Sequence, residues 1–234
     1  MEFIPLAEEN GRLSSFGARV LRAACRQNKA WQSARLPNVR VAVNVSARQF
    51  RDSAFLDIQR YTLNDSGLDP RFSTLKITEN AIMENAQENL DTLHAIKKMG
   101  IKLSVDDFGT GHSSLSYSIL SSSSGSCFDR LFIVGIRSES DNAPIVTSII
   151  LMAHSLNLRV VMKGIKAERQ LIFCRERGCD AYQGFLFSKP VPRPRICLSL
   201  ESSSARLIQS CQRPTIALDQ SCNELECCGA RMGI

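Results

Sequence analysis

Apolar positions along this chain switch repeatedly between a helical and an extended period. Over residues 14–32, Phe16, Val20, Leu21 and Ala24 recur at helical spacing, and Ser14 or Ser15 is placed to cap the start. Residues 39–45 form a β-branched run ending in Asn44-Val45-Ser46. Residues 54–63 then return to a helical period before the turn Asp65-Ser66-Gly67. The unit repeats as strand 74–79, helix 87–99, strand 101–106, helix 113–120, strand 127–133 and helix 145–156. Strand 159–163, helix 167–177 stopped by Gly178, and a short strand over 180–184 complete the series. Six strands alternating with helices predict a parallel sheet with right-handed crossovers.

A β/α barrel and a doubly wound sheet both satisfy that alternation, and the polar residues separate them. Asn44, Glu79, Asp106, Asp107, Lys163 and Gln183 fall at or near the C-terminal ends of different strands. Barrels assemble sites there from many strands, whereas a doubly wound sheet gathers them at one switch point beside a glycine-rich phosphate loop. No GxGxxG or Walker pattern occurs in the sequence. The expectation is a TIM-type β/α barrel.

Two segments break the pattern. Ser121-Ser122-Ser123-Ser124-Gly125-Ser126 reads as a loop, and from Arg193 onward Pro, Ser and Cys replace the alternation, with a short helix over residues 205–210. The predicted organisation is a barrel domain over residues 1–192 and an irregular Ser/Cys-rich tail over 193–234. A chain of 234 residues that is 44% hydrophobic is long enough to bury such a core.

Charge and cysteine usage narrow the function. The net charge of +6 is dispersed and not interleaved with aromatics, which argues against a nucleic-acid surface. The sequence shows no bilayer-length apolar stretch and no basic leader before an apolar one, so it reads as cytoplasmic. Of its nine cysteines, Cys25, Cys127, Cys174 and Cys179 lie in periodic sequence and read as buried thiols. Cys197, Cys211, Cys222, Cys227 and Cys228 match no standard zinc spacing.

The chemistry concentrates in Asp106-Asp107-Phe108-Gly109-Thr110-Gly111. Neighbours on a regular strand point to opposite faces, so an aspartate pair acts together only where the backbone turns, and the glycines are expected to supply that turn after the strand. Paired carboxylates suit hard divalent cations, and those cations suit phosphate chemistry. Two solvated aspartates at a strand end are the bland alternative.

Read together, the motifs resemble the EAL domain family of bacterial cyclic di-GMP phosphodiesterases and their non-catalytic relatives. The resemblance rests on Phe3-Ile4-Pro5-Leu6-Ala7-Glu8-Glu9, Asn44-Val45-Ser46 and Ile77-Thr78-Glu79. It continues through the Asp106–Gly111 run with Ser113-Ser114-Leu115, and Tyr182-Gln183-Gly184-Phe185 with Lys189-Pro190. It implies a β/α barrel that uses Mg²⁺ or Mn²⁺ to hydrolyse cyclic di-GMP to pGpG. It implies Asn44 as a metal-binding amide, Asp106 and Asp107 as central metal ligands, Gln183 as a polar group near the reaction, and Glu79 as a brace for the loop after the aspartates. Taken alone, Asn44 serves equally as a turn cap and Gln183 as a partner for strand-end backbone.

The sequence also departs from the family pattern. The namesake Glu-Ala-Leu segment would lie ahead of Phe3, while this sequence starts at Met1-Glu2, so the expectation is a barrel incomplete at its N-terminus. Lys76, Lys163 and Lys166 stand where the family has carboxylates, and Cys127 stands where it has a site lysine. An ammonium repels a divalent cation by several kcal/mol at an effective dielectric of about 20, so metal binding is expected to be weak or lost. Lys76 or Lys163 is instead expected to bridge Asp106 or Asp107, while Lys166 points outward. The reading is a degenerate module acting through weak or lost cyclic di-GMP binding, a protein partner or a homodimer. The alternative is a working metal-dependent phosphodiesterase. Open sheet edges would favour oligomerisation unless a partner or the tail supplies the missing staves.

Overall fold

The computed structural model of the chain describes residues 13–84, 86–108, 130–134, 143–187, 215–218, 227–228 and 230–231. Helix α1 (Leu13–Ser33) buries Leu21, Ala24, Cys25, Asn28 and Trp31, spaced by one or three residues, while Arg19, Arg26 and Lys29 face outward. The Asn28 amide donates to the Val39 and Phe72 carbonyls, at 3.2 and 3.3 Å, which ties the helix to the first strand. Strand β1 (Arg40–Val45) follows, then the single-turn helix α2 (Ala47–Phe50) and helix α3 (Phe55–Ser66), which ends at Gly67 in a left-handed conformation with φ 61°.

Strand β2 (Ser73–Thr78) leads into helices α4 (Glu79–Met83) and α5 (Ala86–Lys98), and strand β3 spans Lys102–Phe108. Strand β4 (Arg130–Val134), helix α6 (Ala143–Ser155), strand β5 (Arg159–Lys163), helix α7 (Glu168–Glu176) and strand β6 (Ala181–Gln183) complete the alternation. Neighbours from β1 to β6 are parallel and lie in chain order. Their residues are buried on both faces, as expected when helices cover one side and a barrel interior fills the other: Val41, Val43, Leu75, Ile77, Leu103, Val105, Val160 and Met162 on one face, and Ala42, Thr74, Lys76, Ser104 and Val161 on the other.

The helix–strand order matches the sequence expectation, with several differences in detail. Helices α2 and α4 were not expected. The first is a capping box, in which the Gln49 N–H donates to Ser46 Oγ at 3.2 Å and the Ser46 N–H donates to Gln49 Oε1 at 3.0 Å. Strand β3 runs two residues beyond the expected end at Asp106. The expected helices over residues 113–120 and 205–210 lie outside the described residues, as does Cys127.

Segment 193–234, expected to be irregular, adds three short strands to the sheet. Strand β7 (Thr215–Leu218) pairs parallel with β1, β8 (Cys227–Cys228) pairs antiparallel with β7, and β9 (Ala230–Arg231) pairs antiparallel with β6. Strands β7 and β9 also contact one another, so the two ends of the parallel sheet approach each other. The edges of β1 and β6 are therefore paired within this chain. Among the described residues, no helix is long and apolar enough to cross a membrane.

Candidate site at the strand ends

The site begins with an irregularity in β3. Val105 pairs with Leu131 and Phe108 with Ile133, so Asp106 and Asp107 together oppose the single residue Phe132. That is a β-bulge, and within it Asp107 takes the left-handed conformation, with φ 52°. The bulge cancels the alternation that would separate adjacent side chains. The aspartates thus act together inside the strand, and not, as expected, at a glycine turn beyond its end. Gly109 and Gly111 lie outside the described residues.

Register explains which other residues join them. Asn44 aligns with Lys76, Lys76 with Ser104, Thr78 with Asp106, and Lys163 with Gln183. Following the two-residue period across the sheet places Asn44, Lys76, Asp106, Lys163 and Gln183 on one face. Strand β4 separates β3 from β5, a gap of two strand spacings or about 10 Å, which a lysine and an aspartate span only if this face is concave.

They do span it. Lys163 Nζ donates to Asp106 Oδ1 at 2.9 Å and to Asp107 Oδ1 at 2.8 Å. Lys76 Nζ lies 3.3 Å from the other oxygen of Asp106, Oδ2. The cluster grades from interior to solvent: side-chain exposure is 3% for Lys76, 10% for Asp106, 25% for Lys163 and 42% for Asp107.

The electrostatics follow from that gradient. Burial by itself raises the Asp106 carboxyl, but Lys76 and Lys163 outweigh it and hold the group below its ordinary range. Burial pulls Lys163 down, while the two carboxylates prevail and push it above the ordinary lysine value. Lys76 is lowered, chiefly by burial and also by Lys163, against the pull of Asp106. With both ammonium groups protonated, the two positive and two negative charges cancel.

The remaining expected residues take separate places. Gln183 ends β6 in register with Lys163, and its Oε1 is buried without a hydrogen-bond partner among the described residues. The following Gly184 sits against Ile165, where a Cβ would lie 2.0 Å from the Ile165 carbonyl oxygen. Asn44 lies on the face of the ion cluster by register, beside Lys76 on the neighbouring strand. Glu79 is buried at the start of α4, and the loop it was expected to brace lies outside the described residues. Lys166 is exposed, with its backbone N–H donating to Gln170 Oε1 at 2.8 Å. Among the described residues no group of three or more His, Cys, Asp or Glu side chains is arranged to hold a metal ion.

Comparison with known proteins places this arrangement. The family model for the EAL domain matches residues 1–190. The chain belongs to the EAL domain family. This EAL domain is 37% identical over 199 residues to the bifunctional diguanylate cyclase/cyclic di-GMP phosphodiesterase MucR of Pseudomonas aeruginosa, covering 85% of the chain and 29% of that protein. It is 39% identical over 190 residues to the cyclic di-GMP phosphodiesterase NbdA of the same organism, covering 81% of the chain and 24% of NbdA. The chain thus spans about a quarter of the length of such relatives. The solved phosphodiesterase of P. aeruginosa MucR in complex with cyclic di-GMP superposes with a TM-score of 0.76 at 35% identity, over 83% of this chain and 79% of that one. The EAL domain of Mycobacterium smegmatis DcpA gives 0.73 at 30% identity, over 82% and 85%. These likenesses establish the TIM-barrel-like fold of the EAL domain.

Proposed function

We propose that this EAL domain is catalytically silent and serves as a cytoplasmic cyclic di-GMP signalling module, through weak nucleotide binding or contact with a protein, including a second copy of itself. The observation that carries the reading is the position of Lys163, whose ammonium is shared by Asp106 and Asp107 while Lys76 holds the remaining oxygen of Asp106. The EAL family depends on divalent metal, and Mg²⁺ or Mn²⁺ would need those oxygens. A cation arriving here would have to displace two ammonium groups and then endure their charge, a repulsion of several kcal/mol at an effective dielectric of about 20. The donor set does not suit it.

The lysines do electrostatically what a cation would do, neutralising the aspartates, but they supply no activated water. Cyclic di-GMP is the ligand to test first, because it occupies the solved MucR phosphodiesterase. Purified protein with Mg²⁺ or Mn²⁺ is expected to leave cyclic di-GMP intact, followed by chromatography for pGpG. Metal-dependent pGpG formation that disappears in Asp106→Ala would refute the proposal. Calorimetry is expected to show affinity weaker than micromolar, and submicromolar binding would contradict weak recognition.

The second reading, a working metal-dependent phosphodiesterase, draws on the retention of Asn44, Asp106, Asp107 and Gln183, with Asn44, Asp106 and Gln183 on one face of the sheet. The same turnover assay decides between the two.

A further inference from the structure

Away from the ion cluster, the C-terminal end of α7 brings two thiols together. Gly178 adopts φ 78°, and the Cys179 N–H donates back to the Cys174 carbonyl at 3.1 Å. This is the turn that commonly ends a helix, and it sets the third residue from the end against the second residue beyond it. An apolar contact ordinarily fills that position. Here both members are cysteines, they are buried with residue exposures of 1% and 7%, and their side chains hydrogen-bond to one another. The backbone around them is pinned: the Tyr182 hydroxyl donates to the Cys179 carbonyl at 3.0 Å, and Asp180 Oδ2 accepts from the Val160 N–H at 2.8 Å.

We propose that Cys174 and Cys179 close into a reversible disulfide when the protein meets a low-molecular-weight disulfide, making this turn a thiol-modification site. A backbone hydrogen bond joining the two residues holds their Cα atoms within the range that a disulfide bridges, so little movement is needed. The roles of the two thiols follow from their surroundings. Cys174 is held below the ordinary thiol value, first by the hydrogen bond from Cys179 and further by Arg177, against burial. Cys179 is raised, first as the donor in that bond and then by burial. Cys174 is therefore the attacking sulfur and Cys179 the resolving one.

The exchange balances. The Cys174 thiolate attacks one sulfur of oxidised glutathione and expels a glutathione thiolate, which takes up a proton. Cys179 then loses its proton and attacks the Cys174 sulfur of the mixed disulfide, expelling the second glutathione. Two protein thiols become one disulfide, and one glutathione disulfide becomes two glutathione thiols. The bond would fasten the end of α7 to the entry of β6, the strand that carries Gln183.

The test uses the full chain with oxidised glutathione near neutral pH, acid quenching, alkylation and tryptic mass mapping. Trypsin cuts after Arg175 and Arg177, so the bond appears as two linked peptides. Burial slows the first exchange, but the ratio of 174–179 link to glutathione adduct on Cys174 is expected to be roughly tenfold higher in native protein than in concentrated urea, since the fold pre-positions the sulfurs for the second. Cys179→Ser is expected to accumulate the glutathione adduct on Cys174. Both thiols remaining reduced in wild-type protein, or a link-to-adduct ratio no higher than in urea, would overturn the proposal without any variant having to fold.

Discussion

Replacing Lys163 with methionine removes one charge while keeping most of the side chain's length, and so isolates the ion cluster from its packing. In wild-type protein Lys163 makes two charge-assisted hydrogen bonds, at 2.9 Å to the buried Asp106 and at 2.8 Å to the half-exposed Asp107. The first falls in the range of about 1.5–3 kcal/mol for bonds to charged groups. The second, screened by solvent, contributes about 0.2–1 kcal/mol. Asp106 keeps Lys76 as a partner, so its charge is not stranded, and the expected loss is about 2–3 kcal/mol. Urea unfolding followed by fluorescence measures it, because Trp31 is the only tryptophan and is buried.

The pH dependence supplies a second readout. The Asp106 carboxyl is depressed in the folded state, so its contribution is present above the unfolded value, near 3.8, and disappears as pH falls through the lower folded value. The Lys163 ammonium is raised, so its contribution is present below about 10.5 and disappears as pH climbs through the higher folded value. The stability gap between wild type and Lys163→Met should therefore be widest between those limits and narrow at both ends. A gap under about 0.5 kcal/mol at neutral pH, or one that stays flat under acid, would refute the role assigned to the cluster.

Three further outcomes are expected. Asp106→Asn leaves Lys76 buried without its carboxylate and should cost about 3–5 kcal/mol, more than Lys163→Met, in the same urea assay. Gly184→Ala drives a methyl into the Ile165 carbonyl and should cost about 1–3 kcal/mol, with a matching fall in the thermal midpoint by calorimetry. Burial pushes the Cys25 thiol up to about 12, so alkylation near pH 8 followed by mass spectrometry should leave it unmodified in native protein and label it in urea.

Much of the fold was legible because alternating helical and extended periods record which side of each element is buried. The strand expected at 159–163 is β5 without adjustment, and the helix expected at 87–99 is α5 displaced by one residue. The short helices α2 and α4 escaped notice because a single turn has too few residues to show a period. The capping pair Ser46 and Gln49 was the available signal for the first of them. Strands β7, β8 and β9 escaped because segments of two to four residues carry no readable alternation, and, unlike the equally short β6, they follow no helix in a repeating strand–helix series.

The sequence by itself determined the inventory of the site: aspartates at 106 and 107, lysines at 76 and 163, and an order of motifs that belongs to the EAL domain family. Tertiary structure decided how those charges meet. No local rule tells an Asp-Asp pair to bulge, and the register with β4 is what leaves two residues opposite one. The family positions lead to the expectation that Lys76 or Lys163 bridges an aspartate, but they do not reveal that Lys163 crosses an intervening strand to reach both, since that contact joins residues 56 and 57 positions apart and depends on the curvature of the sheet. Side-chain chemistry is written residue by residue, but a charge is neutralised by whatever lies within a few ångströms, and only the folded chain sets that distance.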